Sequence, residues 1–286
     1  MQYWGNSYSF AAAAGGITDA DAQAWVAAVE GASGDNQPLE AAIQQALDTY
    51  VQTLKTTGVG GASGSIWSQA VQLMLFCGPR SLAGALRPLK GPLPTNANGK
   101  FASANYNRKN GISKASNSNA YLINNVPLSL LGATSHALFA YGAITAASGG
   151  QVLSGVATPG NFLLMDSLIP GQGRTFRSGS ITSGQYPVSP STAPATCMIG
   201  SRTSATGAAL YVDGATFTNS TNLSIASSAQ SLYTYNWNNN GVVGGAFSSD
   251  RLQAKAIFSA GLNAAQAAAL RAATATYVAA VAAAIP

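Results

Sequence analysis

The chain has 286 residues, of which 47% are apolar and only 8% charged, against about 25% charged in average globular proteins. This composition excludes a disordered chain, and a net charge of +5 without a dense Lys/Arg block or a basic helix argues against nucleic-acid binding. Small and hydroxylated residues take the place of charges, which suits proteins packed into large assemblies and β proteins on particle surfaces.

The charges that remain are unevenly placed. Residues 1–48 carry Asp19, Asp21, Glu30, Asp35, Glu40 and Asp48 without a Lys or Arg, whereas 49–165 hold no acid but contain Lys55, Arg80, Arg87, Lys90, Lys100, Arg108, Lys109 and Lys114. Such fields attract within a chain or between copies, or else the charges are simply scattered and solvated.

In chain order, Thr18 with Asp21 reads as the capping arrangement of a helix over "DADAQAWVAAVE". Pro38 fits a first helical position. After it Leu39, Ile43, Leu47, Tyr50, Val51 and Leu54 hold one apolar face at a 3.6-residue period. A Gly/Ser-rich link, "GVGGASGS", follows. Trp67, Val71, Met74 and Leu75 then predict a third short helix, stopped at "CGPR". These stripes are read as core, and residues 1–83 as a helical region.

From residue 84 the apolar runs shorten between turn clusters. "AYLINN", "HALFAYGAI", "NFLLMDSL", "TFRSGSI", "ATCMIGSR", "ALYVDGATF", "NLSIASS" and "KAIFSAGL" predict strands. Asp213-Gly214, between two apolar arms, is the signature of a two-residue hairpin turn. At the end, Asn263 with Gln266 makes a capping box, and Leu270, Thr274, Tyr277 and Val281 share a helical face. The expected fold is mainly β, an antiparallel sandwich or jelly roll over 84–286 closed by a C-terminal helix. No basic stretch followed by an apolar run marks a signal peptide. The Ala-rich run after Arg271 is too short to span a bilayer, so no membrane insertion is expected.

Sites for chemistry are sparse. His136, the only histidine, sits in a predicted strand without a nucleophile elbow. One His and two distant cysteines cannot make a zinc site, and no phosphate-binding glycine loop occurs, so neither metal nor cofactor is expected. Cys77 and Cys197 are read as buried free thiols, with a bridge between them as the alternative. Glycoside hydrolysis needs two facing carboxylates, and the β region offers only Asp166, Asp213 and Asp250. Sugar binding needs aromatic faces beside amides and hydroxyls. Tyr233, Tyr235, Trp237 and Asn238 in "SLYTYNWNNNG" provide that mix, as do Tyr106 and Arg108 in "FASANYNRKNG". Core aromatics and Asn turns are the alternative reading of both stretches.

Three blocks carry a family resemblance. "ATCMIGSRTSATGAALYVDGATFTNST" resembles the centre of laminin-G-like, concanavalin A-like domains, and "SDRLQAKAIFSAGLNAAQAAAL" resembles their end. The order Ser65-Ile66-Trp67-Ser68, "LAGALRPLKGPLPTNANGKFASANYNRKNGI" and "AYLINN" is similar to laminin-G-like structural proteins of tailed bacteriophages. The acidic residues that often bind calcium in the wider fold are largely missing. The resemblance implies a virion component (tail, fibre, baseplate or capsid-decorating protein), assembled in the host cytoplasm and exposed on the particle; the lack of a catalytic constellation in the residues adds the expectation that it is not an enzyme. Its implied partners are other virion proteins and copies of itself. A glycan-binding receptor module is the alternative, and a polysaccharide-degrading enzyme a third.

Overall fold

A computed structural model describes residues 16–34, 37–58, 64–114, 119–145, 151–158, 161–179, 186–219, 224–245 and 247–286. The helices are α1 (Ala20–Ser33), α2 (Ala41–Thr56), the single turns α3 (Ile66–Gln69) and α4 (Leu82–Ala85), and α5 (Ala264–Ala284). The strands are β1 (Ala70–Leu75), β2 (Pro88–Lys90), β3 (Thr95–Asn96), β4 (Tyr106–Asn107), β5 (Gly111–Ser113), β6 (Leu122–Pro127), β7 (His136–Ile144), β8 (Gln151–Thr158) and β9 (Asn161–Ile169). They continue with β10 (Gly173–Ser178), β11 (Val188–Ser189), β12 (Ala195–Arg202), β13 (Ala208–Val212), β14 (Ala215–Asn219), β15 (Ser231–Thr234), β16 (Trp237–Asn239), β17 (Val242–Val243) and β18 (Arg251–Phe258).

Two sheets form the predicted sandwich. The first runs β14-β13-β12-β7-β18-β1-β2, with β5 also on β18 and β4 on β5. The second runs β11-β10-β9-β8-β15-β6-β3, with β16 on β8 and β17 on β16. Strand pairs are antiparallel except β16 with β8. One apolar core lies between the sheets, around Met74, Leu138, Ile257, Leu122, Leu153, Met165 and Phe176. A second lies on the outer face of the first sheet, where Leu73, Phe139, Ile199 and Phe258 meet Trp25 of α1, Ile43 and Leu47 of α2, and Leu270 and Tyr277 of α5. The molecule is therefore three layers, helices on sheet on sheet.

Several local expectations need correction. The cap of α1 is Asp19, whose Oδ1 accepts from the backbone of Asp21 and Ala22 at 2.9 and 3.3 Å. Thr18 instead donates its N–H and hydroxyl to Asp48 of α2, both at 3.0 Å. Pro38 precedes α2 rather than opening it, and Glu40 is the cap residue. The third helix stops after one turn. Val71, Met74 and Leu75 continue as β1, between β18 and β2 inside the first sheet, so a strand from the helical region contributes to both cores. "NLSIASS" makes no strand over its described residues 224–228, although Ile225 is buried. Residues 59–63 of the Gly/Ser link and 180–181 of "TFRSGSI" lie outside the described residues.

Other local readings stand. The buried face of α2 is Ile43, Leu47, Tyr50, Val51 and Leu54. The Asn263–Gln266 capping box closes in both directions, at 2.9 and 3.1 Å, and Leu270, Thr274, Tyr277 and Val281 are the buried face of α5. Asp213 and Gly214 take φ of 50° and 96° between paired β13 and β14, as a type I′ hairpin turn requires. Both cysteines are buried free thiols, and burial pushes each thiol up to about 12. One reading here is corrected: the Ala-rich end was expected to be too short to span a bilayer, but the helix reaches back past Arg271 to Ala264, and α5, among the described residues, is long and apolar enough by length and composition to cross a membrane. About a third of its most apolar window is buried against the rest of the chain.

Candidate functional site

The predicted sugar platform at 233–238 is mostly inside the protein. Tyr233 stacks on Tyr121, ring centroids 4.9 Å apart. Tyr235 is fully buried; its hydroxyl donates to Ile112 O at 2.6 Å and accepts from Leu252 N–H at 3.2 Å. Its φ of 67° is unusual for a bulky side chain. That turn lets the chain leave antiparallel β15 and return along the same β8 as parallel β16. Asn238 is buried as well: its amide donates to Gln230 Oε1 and Ser231 O, and its Oδ1 accepts from Gly241 N–H at 2.7 Å. Trp237 keeps part of its surface, although Gly244 lies so close that a Cβ there would sit 2.0 Å from the indole nitrogen. Of the four residues expected to face a ligand, Tyr233, Tyr235 and Asn238 are buried and Trp237 alone is not.

Tyr106 and Arg108 fasten the β4 strand to the helical layer. The Tyr106 hydroxyl donates to Pro79 O. The Arg108 guanidinium grips Glu40 through both terminal nitrogens, at 3.1 and 2.7 Å, and also donates to Gly78 O at 2.9 Å. Arg80 adds a third nitrogen to Glu40 at 3.0 Å. Burial opposes ionisation of Glu40, but the Arg108 hydrogen bond and both cations hold its carboxyl below the ordinary value. At the start of α1, Lys55 pairs with Asp19 and Asp21 at 2.7 and 2.6 Å. Opposite fields legible in the sequence are thus joined within the chain at these contacts.

Each carboxylate of the β region is held by the scaffold. Asp166 is buried between Arg177, at 2.8 and 2.6 Å, and the Thr175 hydroxyl at 2.5 Å. Asp250 accepts from Thr145 N–H at 2.6 Å and from the Ser248 hydroxyl; burial outweighs these bonds and raises its pKa. Asp213 accepts from the backbone N–H groups of Thr196 and Cys197 at 3.1 and 2.9 Å, and from the Thr196 hydroxyl at 2.6 Å. It both turns the hairpin and ties it to the start of β12. His136 is buried between Gly132 O and the Ser178 hydroxyl, 2.7 Å from each. Among the described residues no three His, Cys, Asp or Glu side chains cluster as metal ligands.

An open apolar cleft that the sequence did not reveal lies between α2 and α5. A cleft of about 580 Å³ has Tyr50 and Tyr277 as its floor and Ala42, Gln45, Ala46, Thr49 and Thr53 on one wall. Ala269, Ala272, Ala273 and Thr276 make the other wall. The two tyrosine rings pack with centroids 5.8 Å apart, and the Thr274 hydroxyl between the helices donates back to Leu270 O. The wall side chains are uncharged and, apart from Gln45, small, which leaves both helix backbones open to close approach. The only sequence signal for it was the alanine content of the terminal helix, which reads equally as plain helix propensity.

Neither a protein-family model nor a curated protein sequence matches the chain. Solved structures align with it at low identity. Domain 4 of AbnA, a GH43 extracellular arabinanase from Geobacillus stearothermophilus in complex with arabinotriose, is 13% identical over 63% of this chain and 82% of that one, TM-score 0.42. Trypanosoma rangeli sialidase with sialic acid is 14% identical over 80% and 38%, TM-score 0.46. Mouse laminin alpha1 chain domains LG4-5 are 12% identical over 45% and 36%, TM-score 0.29. The chain spans little more than a third of the sialidase and laminin chains. Their ligands are properties of those proteins.

Proposed function

We propose that this chain is a non-enzymatic structural subunit of a phage particle, acting through protein–protein contacts, and that its α2–α5 face joins it to a second copy. The phage context is supported by the sequence blocks alone. The observation that carries the contact is the open Ala/Thr cleft over Tyr50 and Tyr277. Exposed apolar surface of this kind favours a partner. A two-fold contact brings a surface against itself, and a wall without charge opposes no like charges there. A membrane surface is the poorer match, because interfacial helices present bulky apolar side chains with Lys or Arg, whereas this face offers Ala and Thr.

Sedimentation at low salt and high protein concentration is expected to show a dimer or larger assembly, and Ala272→Glu, at an exposed position, to return it to monomer without changing its circular dichroism. A wild-type protein that stays monomeric overturns the self-contact. Absence of the protein from purified particles by mass spectrometry overturns the virion reading.

A glycan-binding role is the second reading, and it rests on Trp237 beside the exposed Asn239, Asn240, Val242 and Val243 of the β16–β17 hairpin. It predicts at least a tenfold loss of glycan-array or cell binding in Trp237→Ala, the scale of about 1.4 kcal/mol. Unchanged binding in a folded Trp237→Ala protein removes this site.

A further inference from the structure

Lys255 lies on the face of β18 that points between the sheets, paired across the ladder with Met74 and Ala140. It is 2% exposed, and among the described residues it has no ion-pair partner. Its Nζ donates to Asn124 Oδ1 of β6 at 2.7 Å and to Thr234 Oγ1 of β15 at 2.6 Å. Thr234 in turn donates its hydroxyl to Asn124 Oδ1 at 2.9 Å. The Asn124 amide nitrogen is buried without a hydrogen-bond partner, as is Gln72 Oε1 nearby, while Gln72 Nε2 holds the Asn124 backbone carbonyl at 2.8 Å.

An ammonium buried without a counter-charge is costly. Burial accordingly drives the Lys255 pKa well below the ordinary lysine value, toward a neutral amine with a nucleophilic lone pair. The three contacts place that amine against a carbonyl whose oxygen already takes a hydroxyl hydrogen bond, the arrangement that stabilises a developing oxyanion.

We infer that Lys255 and Asn124 become joined by an intramolecular isopeptide bond between the two sheets, with Thr234 as the catalytic hydroxyl. The Lys255 Nζ lone pair attacks Asn124 Cγ, and the carbonyl π electrons move to Oδ1, which the Thr234 hydroxyl steadies. One proton passes from Nζ, by way of Thr234 Oγ1, to Oδ1, and moves from Oδ1 to the departing amide nitrogen on collapse. As the tetrahedral centre collapses, the Cγ–Nδ2 bond breaks and ammonia leaves. One C–N bond forms and one breaks; no oxidant, reductant or further reactant is needed. The unpartnered amide nitrogen gives up no hydrogen bond on leaving, and the product replaces a buried amine by a neutral amide.

The test is the mass of the purified full chain under denaturing conditions. It is expected to fall short of the sequence mass by one ammonia. Proteolysis should yield a branched pair of peptides joined at Asn124 and Lys255, with no tryptic cleavage after Lys255. The joined pair separates this bond from an internal succinimide, which also loses ammonia but links no second peptide. Thr234→Val should restore the full mass, and Asn124→Asp should convert the loss to one water or abolish it. A wild-type chain of full sequence mass, cleaved normally at Lys255, overturns the inference whatever the variants do. So does a Thr234→Val protein that is folded and still fully linked, as regards the role of Thr234.

Discussion

Asp166→Ala is expected to destabilise the fold by about 3 kcal/mol, the lower end of what removal of one partner from a buried ion pair costs. The Asp166 side chain is 1% exposed and that of Arg177 18%, so the guanidinium left behind recovers some hydration and the upper end is not reached. Asp166 stands opposite Thr175 in the β9–β10 ladder, where its two oxygens take the Thr175 hydroxyl and two nitrogens of Arg177. Alanine strips all three donors of their acceptor. Asp166→Asn, which keeps the outline of the side chain and one acceptor oxygen, should cost roughly half as much. Urea unfolding of the two variants and the wild type, with unchanged slope, measures both values. The same variants bear on the hydrolase alternative. A folded Asp166→Asn or Asp250→Asn protein that loses product release from capsule or cell-wall extract restores a catalytic role; equal stability of Asp166→Ala and wild type removes the structural one.

The elements most legible in the sequence are those whose signal is local. The α5 capping box, the α2 stripe and the Asp213-Gly214 hairpin each need only a few neighbouring residues. β1 was illegible because it is buried on both faces. Leu73 and Leu75 face the helices while Met74 faces the second sheet, and an apolar run without alternation cannot be told from a buried helix. β8 was hidden by its small residues: Gly155 is required where Leu164 packs across the strand pair, since a Cβ would approach its side chain to 2.3 Å. Candidate-site residues fared worse, because a side chain's direction depends on partners far along the chain. Tyr235 finds its acceptor 123 residues away, Arg108 its carboxylate 68 away, and Lys255 its amide 131 away. Composition revealed that acids and bases were segregated; only the fold brings Glu40 to Arg108. Lys255, which follows Arg251 and Gln253 at every second position of β18, carried no mark that it points inward.

Acidification from about pH 6.5 to about pH 4 should remove roughly 3 kcal/mol of stability through His136 alone, at about 1.4 kcal/mol for each unit of pKa difference. Burial, reinforced by the nearby Arg202 cation and opposed by the hydrogen bond to Gly132, depresses the imidazole to about 4 from 6.5. The unfolded chain therefore takes up a proton in this window and the fold does not, so stability falls as pH falls. The hydrogen bonds explain why the neutral form is kept. Nδ1–H donates to Gly132 O, and Nε2 accepts from the Ser178 hydroxyl, which itself accepts from Arg202 at 3.3 Å. A second ring proton would displace that hydroxyl and bring two cations together. Asp19 and Glu40, whose values are lowered, lose their contributions only below their unfolded values of 3.8 and 4.5. Asp250, whose value is raised from 3.8, acts with the opposite sign, its stabilisation appearing as pH falls through its folded pKa. Denaturant midpoints measured across about pH 7 to 4.5 should thus trace the histidine, and His136→Gln, which keeps a donor and an acceptor without titrating, should flatten the curve. A wild-type protein equally stable at both ends of that range, or a His136→Gln variant with the same slope, refutes the assignment.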